Sequence, residues 1–366
     1  MPANPIDETR LLISGLGCIT RPGIGADDLL EAATEMRVIR GGRRSDAPVE
    51  PMLLLDFDLA ELVTDPPDGL DLRARCALGA AALAWENAAI QYDEVEPPRC
   101  GLCMAGGRSG RRSEAEPDSD RLARLLAGLF RLEGPVADVA GGALSGAVVL
   151  ERAVSELGEE AADLMLAVGA DAAAPAELYR MAAQTRSGAA PPAQGAAALV
   201  VETDDRLERR EGYAFCELAS VRCCPLDGAA TTKGVAGALD RAVQEALDAA
   251  GIWEGDVGLV QTCSYGGADE PAGRAQEQVL RPFSKVPTSS LKELVGETFG
   301  AGFLLECMAA AQVLSRGSGP PNVTLEDMRG GVEFWLERQP EPLMGHSALV
   351  LGAAPGMAAA AVLRSV

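Results

Sequence analysis

The chain is poor in several things, and each shortage narrows what it can do. Aromatic residues make up 4% of its 366 residues, so ring-lined surfaces have little to be built from. One histidine, His346, occurs in the whole chain. Basic residues number 32 against 54 acidic ones, a formal net charge of −22. Phosphate recognition needs a basic face, so no nucleic-acid partner is expected. No run of about 18 uncharged apolar residues occurs, so no membrane span is expected. The opening "MPANPIDETR" lacks the basic and apolar regions of a secretory signal, and a cytoplasmic location is expected. The nine cysteines, an odd number in apolar contexts, read as reduced buried thiols. "CGLC" (100–103) has CxxC spacing but sits in a run of strand character. With no second CxxC and a single histidine, neither a metal nor a cofactor is expected.

What is present is Ala, Leu, Val and Gly. Hydrophobic residues reach 48%, enough for a large core, and the 41 glycines suit tight packing of layers. Short apolar runs alternate with helical patterns. Strands are predicted over 10–17, 101–106, 163–170, 196–202, 215–223, 257–263, 285–290, 346–353 and 359–365. Most are apolar at every position, as in strands buried on both faces. Helices are predicted over 71–90, 143–158, 234–251 and 300–317, the third ending on Gly251, a natural C-cap. The alternation implies an α/β fold with mainly parallel layers. The two halves share an order of elements, with a boundary near the charged "ETDDRLERREG" (202–212). One pseudo-symmetric unit is expected, divided at 1–204 and 205–366.

The segment "GPVADVAGGALSGAVVLERAV" (134–154) has the layout of a nucleophile elbow: an extended run, a small-residue turn, then an apolar helix. Where a reactive group would stand, the sequence has Ala143, whose methyl can neither attack nor leave.

These stretches resemble β-ketoacyl synthases. "RLLISGLGCITRPGIGADDLLEAATEM" (10–36) is similar to the family's opening strand, turn and helix. The elbow segment extended to "LMLAVGAD" (164–171) is similar to its elbow, elbow helix and following strand. "QGAAALVVE" (194–202), "VPTSSLKELVGETFGAGFLLECMAAAQVL" (286–314) and "MGHSALVLG" (344–352) follow in the family's order. The resemblance implies a thiolase-like five-layer α-β-α-β-α fold of two duplicated halves. It also implies an elbow Cys that carries the acyl chain and two His that assist decarboxylation of a malonyl extender. All three positions are changed here: Ala143 replaces the Cys, Cys263 in "CSYGG" the first His, and Glu297 in "KELVGETFGAG" the second. Ser145, Gly146, Lys292 and Gly296 keep the motif. The Gly-rich Phe loop is reduced to "EPLMG" (341–345).

An ionised Glu297 would repel the developing enolate by about a few kcal/mol at close range. Condensation by this chain alone is therefore not expected. The resemblance then implies a silent partner, of the kind called a chain length factor. It would form a heterodimer with an active ketosynthase subunit and shape the tunnel in which a carrier-bound acyl chain grows. Such factors commonly carry Gln at the elbow, and Ala143 departs from that. The stretch 108–133 is short for the family. Leu125, Leu126, Leu129 and Phe130 in "LARLLAGLF" are its candidates for tunnel or dimer residues. An acyl carrier protein, itself acidic, should dock mainly on the partner, unless "RSGRR" (108–112) offers a local basic patch. Two rivals stay open: a stand-alone acyltransferase in which Cys263 attacks and Glu297 assists, and a homodimeric acyl-binding scaffold. Pairing of Glu297 with Lys292, and a turn role for Ser145, are the plainer readings of those residues.

Overall fold

The structure, a computed structural model, describes residues 9–35, 49–106, 119–139, 142–185, 189–265, 270–319, 341–343 and 345–366. The first half supplies β1 (Leu11–Ile19), α1 (Ala26–Glu35), α2 (Leu72–Asn87), β2 (Cys100–Ala105), α3 (Ser119–Leu129), β3 (Val136–Val139), α4 (Ser145–Gly158), β4 (Leu164–Asp171), α5 (Pro175–Ala182) and β5 (Gly195–Thr203). A short helix, α6 (Asp204–Arg209), leads to the second half. There follow β6 (Cys216–Pro225), α7 (Thr232–Ala250), β7 (Val257–Thr262), α8 (Pro271–Val279), β8 (Thr288–Ser289), α9 (Lys292–Val295) and α10 (Gly302–Arg316). Two short strands, β9 (Ser318–Gly319) and β10 (Glu341–Pro342), pair with each other, and β11 (Ser347–Ala354) and β12 (Met357–Arg364) close the chain.

Ten strands run in the order β3-β2-β4-β5-β1-β6-β12-β11-β7-β8. Each half contributes five, and the second five repeat the order of the first in mirror sequence about the β1–β6 seam. That seam is thin, with only Leu12 opposite Glu217 and Ile13 opposite Cys216. The mainly parallel sheet predicted from the sequence is corrected to a mixed one. β3-β2-β4 and β11-β7-β8 are parallel, whereas every pairing from β4 through β5, β1, β6 and β12 to β11 is antiparallel. Strands that are apolar at every position carry no signal of direction, which is why the alternation with helices misled. The strand predicted over 285–290 shortens to Thr288–Ser289.

Both faces of each half-sheet are covered, and this explains the unbroken apolar runs. Along β4, Leu164, Leu166 and Val168 face the core under α2 and α3, while Met165 and Ala167 face the central core. Along β11, Leu349 and Leu351 face α7 and α8, and Ala348 and Val350 face the centre. The central core is filled by α4 and α10, so five layers stack as helix, sheet, helix, sheet, helix. This is the thiolase-like fold. Every residue of α10 from Gly302 to Leu314 is buried, as a helix enclosed on all sides requires. α2 starts on Asp71, whose carboxylate accepts the Ala74 N–H at 2.8 Å, and α7 ends on Gly251 at φ +62°.

The close approach of α2 to β1 depends on missing side chains. A Cβ on Gly17 of β1 would lie 2.2 Å from the Ala80 carbonyl oxygen of α2. Backbone cannot yield there as a side-chain tip can. The Gly17→Ala variant is expected to lose about 1–3 kcal/mol of stability, measured as a lower midpoint in chemical denaturation. An unchanged midpoint would mean that α2 shifts freely on the sheet.

Candidate functional site

The elbow is built as its sequence requires. β3 leads into Gly142, which takes φ +73°, a conformation that side-chain-bearing residues rarely adopt. Gly142–Leu144 make one tight turn and α4 begins at Ser145. The Ser145 hydroxyl donates to the Gly142 carbonyl at 2.9 Å, so Ser145 closes the turn. Ala143 is buried at the N-terminal end of α4, where unpaired N–H groups and the helix dipole would stabilise a thiolate. What stands at this helix end is a methyl group, which is no nucleophile. Gly146 admits the opposing turn: a Cβ there would lie 2.6 Å from the Gly300 carbonyl oxygen.

Opposite the elbow stands a buried ion pair. Lys292 Nζ donates to Glu297 Oε2 at 2.5 Å and to the Ser264 carbonyl at 2.8 Å. Glu297 Oε1 accepts the Phe299 N–H at 3.0 Å. Burial works against the Lys292 charge, yet Glu297 and its neighbours outweigh it and hold the ammonium above its ordinary range. Removing one member of such a pair costs about 3–5 kcal/mol, far more than an exposed pair is worth. Neither group is therefore a free acid or base. Gly296 precedes the pair at φ +76°, and the Glu297 backbone is tied to residues 191–193 by the Pro191 carbonyl and the Ala193 N–H. Phe299 also takes positive φ, +46°, at a cost on the order of 1 kcal/mol for a side-chain-bearing residue.

Cys263 follows β7 with its thiol wholly enclosed; a Cβ on Gly302 would lie 3.3 Å from its Sγ. Burial drives this thiol far above its ordinary range, against the pull of Lys292. At neutral pH it is a thiol and a poor nucleophile, which weakens the stand-alone acyltransferase reading. Cys100 and Cys103, both free and buried, face opposite sides of β2 and do not meet.

A cavity of about 260 Å³ opens beside the pair, lined by Glu297, Phe299, Tyr265, Met181, Thr185 and Pro192 among others. The Tyr265 and Phe299 rings lie 6.4 Å apart at 41°. Ala143 does not line the cavity. Among the described residues no cluster of His, Cys, Asp and Glu could hold a metal ion, and no helix is long and apolar enough to cross a membrane.

Residues 54–198 match the family model described as "Beta-ketoacyl synthase, N-terminal domain". The chain carries a β-ketoacyl synthase N-terminal domain. It is 26% identical, over 88% of both chains, to "Oxytetracycline polyketide putative beta-ketoacyl synthase 1" of Streptomyces rimosus. Among solved structures it superposes on "The ishigamide ketosynthase/chain length factor" with a TM-score of 0.79, at 16% identity, covering 98% of this chain and all of the other. It also superposes on a type II PKS acyl-carrier protein in complex with its ketosynthase bound to the hexaketide, with a TM-score of 0.75, 18% identity and the same coverage. At these identities the structural likenesses speak for the ketosynthase fold.

Within this ketosynthase-like chain the structure brings Ala143, Ser145, Gly146, Cys263, Lys292, Gly296 and Glu297 into one region. The four residues of α3 and its end lie elsewhere. Leu126 and Phe130 are buried under α2, with the Phe130 ring 5.3 Å from Trp85, while Leu125 is half-buried and Leu129 is 37% exposed. "RSGRR" lies outside the described residues, and His346 is exposed at the start of β11.

Sequence reasoning passed over Glu306. It lies inside α10, fully buried, and its Oε1 accepts the Leu291 N–H at 2.9 Å and the Ser290 hydroxyl at 3.2 Å. With the Gln261 amide oriented to satisfy both its neighbours, its NH2 donates to Glu306 Oε2 at 3.1 Å and to the Ser289 carbonyl at 3.2 Å. The signal was one carboxylate in an otherwise apolar helix. Burial pushes the Glu306 carboxyl up to about 8, against these donors and Lys292. Unfolded, the group titrates near 4.5, so between those values the native state holds the extra proton and stability falls as pH rises. The Glu306→Gln variant should therefore gain stability relative to the parent as pH goes from 5 to 8. Thermal midpoints of both across that range check this, and a gap independent of pH would contradict it.

Proposed function

We propose that this chain is the non-catalytic member of a ketosynthase heterodimer, a chain-length-determining subunit. It would act in decarboxylative elongation of chains carried on an acyl carrier protein. The observation that carries the reading is Ala143: a complete elbow, dipole and all, with no atom able to form a thioester. Lys292–Glu297 supports it, since an ion pair stands where the family places an imidazole. So does the enclosed thiol of Cys263. The relatives' names place them in polyketide biosynthesis and include a chain length factor.

On this reading the halves 1–204 and 205–366 form one unit in the cytoplasm. The outer edge of β3, unpaired among the described residues and with Val136 40% exposed, faces the partner. Leu125 and Leu129, the α3 side chains that reach the surface, are the ones able to touch the partner or a growing chain. The chain's charge of −22 makes it a poor dock for an acidic carrier, which would visit the partner instead.

Co-expression with a co-encoded ketosynthase that has an intact elbow Cys is the test. The two chains should co-elute in equal amounts, and malonyl-dependent elongation should appear only with both present. A stable homodimer that ignores the ketosynthase would favour the scaffold reading and overturn this one.

A further inference from the structure

The elbow is shut off physically as well as stripped of its nucleophile. Three observations converge. First, the cavity at Tyr265 is lined by Glu297 and Phe299 and not by Ala143. Second, the turn Phe299–Ala301 packs against the elbow turn Gly142–Leu144, and its first residue, Phe299, also lines the cavity. Third, Phe299 holds an unfavourable backbone conformation, φ +46°, while only 6% exposed. Such strain persists only where the surroundings enforce it. Here the enforcing group is visible: Glu297 Oε1 accepts the Phe299 N–H at 3.0 Å, and Glu297 is itself fixed by Lys292 at 2.5 Å. Lys292 is anchored in turn on the Ser264 carbonyl at 2.8 Å, next to Tyr265, whose ring meets that of Phe299.

We propose that Lys292, Glu297 and Phe299 form a bolt that closes the passage from the surface cavity to the elbow, with Glu297 as the positioning residue that holds the aromatic ring across it. An acyl group arriving at this chain's own mouth stops at the cavity, whose volume of about 260 Å³ holds only a short group. Any acyl chain that reaches the interior of this subunit enters from another direction. The inference takes from the silent-subunit reading only the location of the elbow. It is tested on the isolated chain, so its failure would leave the heterodimer untouched, and the converse.

The test installs a reporter thiol by Ala143→Cys and follows its alkylation by iodoacetamide, with peptide-resolved mass spectrometry. Two bolt-opening variants are made on that background. Phe299→Gly removes the ring and suits positive φ. Lys292→Met with Glu297→Leu removes the acceptor of the Phe299 N–H without leaving a lone buried charge. Cys307, wholly buried in α10, reports on loosening of the core. Position 143 should react slowly with the bolt intact, and about tenfold faster or more in either opened variant while Cys307 stays silent. Rapid reaction with the bolt intact, no acceleration on opening it, or acceleration only in step with Cys307 would each overturn the proposal.

Discussion

Two tight turns meet at the middle of the molecule, and the rest of the fold is arranged around their contact. One is Gly142–Leu144, at the head of α4; the other is Phe299–Ala301, at the head of α10. A methyl on Gly146 or Gly169 would fall 2.6 or 2.4 Å from the Gly300 carbonyl oxygen. Both gaps are well inside contact distance, so the two central helices can lie between the half-sheets only because these side chains are absent. Close packing of this kind is unforgiving of added volume. That is why the elbow survives without a nucleophile. Its φ +73° glycine, its Ser145 hydrogen bond and its small residues serve the joint between the layers, and the joint is needed whether or not chemistry takes place there.

The electrostatics of the centre has been rebuilt accordingly. Ion pairs taken out of water repay their desolvation only with close geometry and further hydrogen bonds. Lys292 and Glu297 have both: each makes a second bond, to the Ser264 carbonyl and the Phe299 N–H. A satisfied buried network rigidifies its surroundings. The Glu297 carboxylate thus organises the loop before α10.

Much of this was legible in the chain. The apolar runs of β1, β4, β5 and β11 and the enclosed helix α10 follow from their residues, because burial on two faces leaves no room for polar positions. The pairing of Glu297 with Lys292 and the turn role of Ser145 are close-range contacts that sequence spacing can suggest. Strand direction was not legible, since an all-apolar strand reads the same either way. Nor was the Glu202 cluster. The charged stretch 202–212 marks the half boundary, yet Glu202 is fully buried, taking Arg206 at 2.9 Å and Arg210 at 2.7 Å. Only the i,i+4 and i,i+8 spacing of opposite charges hinted at it. Leu126 and Phe130 read as tunnel candidates by apolarity, but apolarity alone does not tell a face turned to the core from one turned to a partner.

The account stands on the absence of covalent acyl chemistry in this subunit. The most direct measurement is intact-mass and peptide-resolved mass spectrometry of the isolated chain after incubation with acetyl- and malonyl-pantetheine thioesters. No mass should be added to the peptides carrying Ala143 or Cys263. An acyl adduct on the Cys263 peptide, labile to hydroxylamine as a thioester is, would contradict it.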